Sequence, residues 1–154
     1  MLSNPRLFKF MLSAYPPWLG AGIYVKSLSS DYRRAEVGMK LRWYNRNYVR
    51  TQFGGSLYSM TDPMYMLLVM KNLGRDYIVW DKASSIEFIS PGTSDVFAQF
   101  NLNDEQLETI RQHTIDGKPY LPEFTVDVTD RDDKLIARVH KTLYVRRKAE
   151  KKVS

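Results

Sequence analysis

Along this chain, hydrophobic and polar positions alternate over several short stretches, and in one place the alternation gives way to an unbroken apolar run. From Arg34 to Trp43, Ala35, Val37, Met39 and Leu41 alternate with Glu36, Gly38, Lys40 and Arg42. A period of two means a strand with one buried and one exposed face. Ala21 to Lys26 predicts a partner strand, and the Ser- and Asp-rich turn 27–31 joins the two as a hairpin. Tyr77 to Ile89 predicts a long strand bent near Asp81-Lys82. Its second half, SSIEFIS, alternates and ends at the turn signal Pro91-Gly92. Val96 to Leu102, Phe124 to Thr129 and Leu135 to Val145 alternate in the same way. The last of these puts Leu135, Ala137, Val139, Leu143 and Val145 on one face, with Lys141 as an interruption.

Helical signals stand between the strands. Residues 3–14 predict a short helix, with Ser3 or Asn4 as its cap and Pro5 in the first turn. Pro16-Pro17 stops it, and Trp18 and Leu19 tuck against the core. The stretch from Asn45 to Leu73 opens with polar and aromatic residues, passes through Gly54-Gly55, and runs into the apolar segment Met64 to Met70. A helix that is apolar all round is a buried one; Gly74 supplies its end. Asn103-Asp104-Glu105 starts another helix that Gly117 ends. Its few apolar positions, Leu107 and Ile110, make it a surface helix. An antiparallel sheet of six strands, one apolar face wrapped on one apolar helix, satisfies every pattern, and the fold class is α+β.

Composition narrows the function classes. The 154 residues fit a single domain over residues 1–154, and 44% hydrophobic residues supply a core. With no cysteine, disulfides, thiolate catalysis and cysteine-ligated metals are excluded. Two histidines, His113 and His140, do not make a zinc site, so no metal is expected. No apolar run is long enough to span a bilayer. Pro5 and Lys9 break the apolar N-terminal stretch, which argues against a signal peptide, and a cytoplasmic location is the expectation. The net charge is +6, and part of it sits in the basic tail 146–154, read as a solvated end. No RNP-like, zinc-finger or KH-type pattern supports nucleic-acid binding.

The candidate chemistry gathers in residues 45–73. Gly54-Gly55 lets a ligand or another backbone approach closely, and the first amides of a helix point outward as donors. The same pair could serve only to pack helix on sheet. Asp62, the one carboxylate of the stretch, is either a general base or nucleophile, or an N-cap placed before Pro63.

These pieces, PWLGAGI, NRNYVRTQFGGSLYSMTDP, NLGRDYIVWDKASSIEFISPG, LPEFTVDV and ARVHKTLYVRR, resemble the hotdog-fold thioesterase superfamily over residues 16–147. The likeness is nearest to its small DUF4442-type, YiiD C-terminal-like members. In that superfamily a loop Asn stands six residues before a His-Gly-Gly pair, and an acid follows two turns along the helix. Here Asn47 precedes Phe53 by six, Gly54-Gly55 match the glycines and Asp62 falls at the acid position. Two positions depart: Phe53 replaces the His, and Arg50 replaces a common Gly.

The resemblance implies a sheet of order 1-2-4-5-6-3 around a continuous or kinked central helix. It also implies a homodimer with two active sites between subunits; whether dimers pair into tetramers is left open. The implied substrate is an acyl thioester of coenzyme A or of acyl carrier protein, with coenzyme A entering as part of the substrate and no separate cofactor. Asp62, the Gly55 amide, Asn47 and Gln52 are the catalytic candidates. Gly54, Phe53, Arg50, Tyr58 and Thr51 are the candidates for contacting substrate. Asp81-Lys82 is read as a structural ion pair or a dimer contact. Two functions compete: a thioesterase, and a non-catalytic acyl- or CoA-binding or interaction module on the same fold.

Overall fold

A computed structural model describes residues 4–149. Six strands form one antiparallel sheet: β1 (Ile23–Leu28), β2 (Arg34–Met39), β3 (Tyr77–Phe88), β4 (Val96–Asn101), β5 (Glu123–Asp130) and β6 (Leu135–Arg147). Their order is β1-β2-β4-β5-β6-β3, as the resemblance implied. Five helices accompany them among the described residues: α1 (Pro5–Ser13), α2 (Pro16–Ala21), α3 (Gly54–Ser59), α4 (Met64–Leu73) and α5 (Asp104–His113).

The alternating residues do face one core. Val37, Met39, Val96, Ala98, Phe100, Val126, Val128, Val139 and Leu143 are all buried, and so are Met64, Tyr65, Leu68 and Val69 of α4. Tyr65 stacks on Phe124 at 4.4 Å between ring centroids and meets Phe100 edge-on at 5.3 Å. Offset and edge-on contacts are the arrangements that ring quadrupoles favour. Helix α5 buries only Leu107 and Ile110, and Asn103 and Gln106 close a reciprocal capping box at its start. It is the surface helix its sequence predicts, but it ends at His113 with Thr114 as its C-cap, short of the expected Gly117.

Several expectations need correction. Pro16-Pro17 does not merely stop α1: the prolines open α2, whose N-terminal positions need no amide donor. Trp18 is buried as expected, whereas Leu19 is exposed. The first strand starts at Ile23, after Gly22 ends α2 in the left-handed region. Strand β2 stops at Met39 rather than Trp43. Beyond it, side chains take over the ladder: the Leu41 amide donates to Asp95 Oδ1 at 2.9 Å and the Arg42 amide to Asn45 Oδ1 at 2.7 Å. Arg146 and Arg147, read as the start of a tail, complete β6 opposite Ile78 and Tyr77. Helix α1 is capped by Asn4, and the alternative cap Ser3 lies outside the described residues, as do tail residues 150–154.

The central helix is broken rather than continuous. Pro63 has no amide hydrogen to give the Ser59 carbonyl, so the chain leaves the helix for one turn. Asp62 N donates to Ser59 O at 3.3 Å instead, and Thr61 N donates to Tyr58 O at 3.1 Å. The fully buried Thr61 also donates its hydroxyl to Tyr58 O at 2.8 Å. Asp62 therefore sits in the break and caps neither helix. Thr61→Val keeps the volume but removes the hydroxyl donor that closes α3. It should cost about 1 kcal/mol, whereas Thr61→Ser should keep most of it; urea unfolding of the two variants checks this.

Candidate active site

The most constrained group near the site is a lysine that the sequence reading passed over. Lys141 lies on β6 between the inward-facing Val139 and Leu143, so a period of two turns its side chain into the core. It continues the inner face rather than interrupting it, and its side chain has no solvent exposure. A buried ammonium survives only if paired, and two carboxylates meet it. Lys141 Nζ is 3.0 Å from Asp62 Oδ1 and 2.8 Å from Asp81 Oδ1. The Asp62 contact is a hydrogen bond. The one to Asp81 is a close but poorly directed ion pair, since Asp81 Oδ1 is buried without a well-aligned donor.

Local irregularities supply both acids. In β3 the register with β6 slips between Asp81 and Ala83, so Lys82 is an extra residue. Asp81 stands opposite Leu143 and shares its inward direction; beyond the bulge, Ser84 stands opposite Lys141 and Ile86 opposite Val139. The bend expected near Asp81-Lys82 is this bulge; Asp81 pairs with Lys141 on β6, not with its neighbour Lys82. Asp62 arrives from the other side, on the break between α3 and α4. Its side chain is half exposed, against a quarter for Asp81. Tyr58, on α3, places its ring 5.8 Å from the ammonium.

Burial alone would lower the Lys141 pKa, but Asp81 and Asp62 outweigh it and hold the value above that of an ordinary lysine. Asp81 goes up as well: burial raises it, Lys141 pulls it down, and the nearby Asp62 charge adds an upward push. Asp81 is thus the deeper of the two acids and is held back from ionising, and Asp62 is the one open to a ligand.

The remaining candidates fall into a second group, about the start of α3. Asn47 Oδ1 accepts from the Thr51 amide at 2.9 Å; its Nδ2 donates to Thr51 Oγ1 at 2.8 Å and to the Gln52 carbonyl at 3.2 Å. These bonds staple the 47–52 loop. Within it Arg50 takes a φ of 66°, a left-handed conformation that suits the Gly common at this place in the resembling proteins. Arg50 is exposed and makes no ion pair among the described residues. Gln52 is buried; its Nε2 donates to the Ser94 carbonyl at 3.0 Å and the Met39 carbonyl at 3.4 Å, while its Oε1 has no donor.

Two exposed rings cover the glycine pair. A methyl group on Gly54 would lie 3.0 Å from the Phe88 ring, and one on Gly55 would lie 2.7 Å from the Phe53 ring. Close packing is thus one real reason for the glycines. Beside them opens a cleft of about 390 Å³, lined by Asn47, Val49, Thr51, Gln52, Gly54 and Phe88 with the 89–92 turn. Asp62 and Tyr58 do not line it. Gly55 and Asp62 stand seven residues apart along α3 and its extension, which at helical rise is roughly 10 Å. Within one chain the acid and the glycine amides therefore stand apart. No group of three His, Asp or Glu among the described residues is placed to hold a metal ion.

Replacing Lys141 with Met leaves Asp81 buried beside Asp62 with no cation. Removing one partner of a buried pair costs about 3–5 kcal/mol. Asp81 has a raised folded-state pKa, so it favours the folded state when protonated, and that contribution is lost as pH rises through its folded value. The penalty of Lys141→Met should therefore be largest near pH 7 and shrink toward pH 4. In the wild type, the raised lysine contributes its stability below its ordinary value of 10.5 and loses it above the folded value. Urea unfolding at pH 4, 7 and 11 reads both effects.

No protein of curated function matches this sequence. Solved structures share its fold at low identity. A protein of unknown function from Pseudomonas aeruginosa described as a probable thioesterase superposes with a TM-score of 0.83 at 13% identity, covering 94% of this chain and 96% of the other. A thioesterase from Haemophilus influenzae gives 0.69 at 15% identity, covering 97% and 94%. Mouse thioesterase superfamily member 2 gives 0.65 at 17%, covering 94% and 98%. Among the described residues no helix is long and apolar enough to cross a membrane. The six-stranded order, the broken helix across it and the match of residues 4–145 to the model described as "Domain of unknown function (DUF4442)" agree, and the chain belongs to the DUF4442 family, with a hotdog fold.

Proposed function

We propose that this protein is a thioester hydrolase whose substrate is an acyl thioester of coenzyme A or of acyl carrier protein, and that Asp62 is its general base. The observation that carries this reading is the state of Asp62: a half-exposed carboxylate set in a helix break, caps no helix, and is held through one oxygen by Lys141. The thioesterase names of the structural relatives support it at the level of reaction class. In the step proposed, a water oxygen bonds to the thioester carbonyl carbon while Asp62 takes the water proton. The carbonyl electron pair moves to oxygen, where the Gly55 amide donates a hydrogen bond. Collapse of the intermediate breaks the C–S bond, and the thiolate leaves with the proton from Asp62. The products are a carboxylic acid and the free thiol.

The roughly 10 Å between Gly55 and Asp62 along one chain sets a condition on this chemistry. We place the working site between two copies, with the acid of one facing the glycine amide of the other, in a homodimer. Strand β3 is a sheet edge twelve residues long, which leaves a row of backbone groups free to pair. Helix α3 has only six residues, so its dipole adds little and the Gly55 donor acts through its own N–H. Asn47 and Thr51 hold the loop that shapes the cleft, and Gln52 closes its floor. Val49, Phe53, Phe88 and Ile89 give the rim an apolar surface suited to an acyl group. Arg50 stands where a phosphate of coenzyme A could meet it. A cytoplasmic location goes with this substrate.

One observation favours the binding-module reading. Phe53 occupies the position of the superfamily His, and its ring fills the space that a Cβ on Gly55 would take. The two readings part on turnover. With a panel of aliphatic and aromatic acyl-CoA thioesters and thiol release as readout, the wild type should turn over at least one. Asp62→Asn, which keeps the shape, should lower kcat on the order of 10²–10⁴-fold. Tight acyl-CoA binding by calorimetry with no thiol released would instead establish the module. Sedimentation equilibrium should return twice the chain mass.

A further inference from the structure

We propose that Lys141 is the positioning residue for Asp62: its buried ammonium fixes the carboxylate at the α3–α4 break, with Oδ1 engaged and Oδ2 left for water. The inference rests on the reading of Asp62 as the base and extends it to a second residue on a different element.

Three features of the geometry carry it. First, the break gives Asp62 no hold of its own: it caps neither helix, and Lys141 Nζ at 3.0 Å is its one polar side-chain partner among the described residues. The direction of the carboxylate is therefore set by the lysine. Second, the lysine is arranged asymmetrically. If its role were only to neutralise buried charge, both acids would lie inside with it. Instead it spans from the deeper Asp81 to the half-exposed Asp62. Third, the lysine is itself immobile. It has no exposed side-chain surface, it is flanked on its strand by Val139 and Leu143, and Tyr58 covers it from α3. A catalytic carboxylate is best held by groups whose own rotamers are locked by packing.

The charges facing Asp62 are Lys141 from β6 and Asp81 from β3, with the neutral Tyr58 ring on α3. His140 lies one residue along β6 and turns to the opposite face, toward Thr125 and Glu87. The two charged neighbours act in opposite senses. Lys141 attracts the Asp62 carboxylate; Asp81 competes for the same ammonium and repels that carboxylate. Altering them one at a time should thus move the activity in opposite directions, which a general loss of packing does not do.

The test measures kcat and KM against pH for the full-length wild type, Lys141→Met and Asp81→Asn, on the acyl-CoA that the wild type hydrolyses fastest. Lys141→Met should lower kcat at least about tenfold at neutral pH with KM changing far less, and should move the acidic limb of kcat/KM upward. Asp81→Asn should move that limb down. Both variants moving the same way, or neither moving, overturns the proposal. If Lys141→Met does not fold, Asp81→Asn decides alone: a downward shift supports it, and an upward or absent shift overturns it. A second readout needs no substrate. The ¹⁵N–¹H signal of the Lys141 ammonium should shift and exchange faster in Asp62→Asn than in the wild type, and an unchanged signal overturns the proposal. If no acyl-CoA is hydrolysed, the thioesterase reading fails, while the ammonium signal still decides whether Lys141 holds Asp62.

Discussion

A lysine ammonium on the inner face of a β-sheet has to find anions inside the molecule, and much of the irregularity near this site follows from that constraint. Strand β6 delivers Lys141 into the core by simple alternation. Transferring an isolated ammonium there would be prohibitive, so two acids must come to it from neighbouring elements. Regular structure supplies neither. An unbulged β3 would carry its inward phase from Asp81 to Ala83 and Ser85. The extra residue, Lys82, lets Asp81 face in and then resets the phase, so that Ser84, Ile86 and Phe88 face in beyond it. An unbroken central helix would likewise leave Asp62 on its cylinder. Pro63 ends α3 early, and the loosened turn puts the carboxylate within 3.0 Å of the ammonium. Bulge and break lie on opposite sides of one charge.

The fold was legible in the sequence because it rests on periodicity. Six alternating segments and one apolar run determine an antiparallel sheet on a helix almost irrespective of detail, and the motif likeness then gave the strand order. Boundaries failed where side chains substitute for backbone ladders. Asp95, 54 residues away, and Asn45, three residues away, end β2 by accepting from the Leu41 and Arg42 amides, and the alternation of apolar positions announces neither bond. Pro16-Pro17 was read as a stop because proline ends helices. It is also favoured at their first positions, and α2 uses it so.

The site was legible residue by residue but not as a constellation. Asp62, Gly55, Asn47 and Gln52 can be found from spacing and likeness. What each one touches depends on contacts 79 residues apart in sequence, as for Lys141 and Asp62. The signal for Lys141 was present: between Ala137 and Val145 it is the one charged residue in the inward phase of β6. Read as an interruption, it looked like noise in the pattern. A charge in an otherwise unbroken inward row is better taken as a statement that anions lie opposite. For Asn47 the structure supplies a sufficient local role, since its side chain makes three bonds within its own loop. Asn47 shapes the cleft through that loop and also lines it.

The separation of the acid from the glycine amides bears on how the substitution of Phe53 for the superfamily His should be weighed. If base and oxyanion donor stood side by side in one chain, a ring against Gly55 would block the donor outright. Here Phe53 is more than half exposed. An incoming acyl group offers that ring apolar surface in exchange for the water it now meets, so substrate binding itself could drive the displacement. Gly55 is the residue that permits either position of the ring, since a side chain there would hold it off permanently. The chemistry proposed here depends on a carboxylate held by a buried cation, and those parts are intact in this chain.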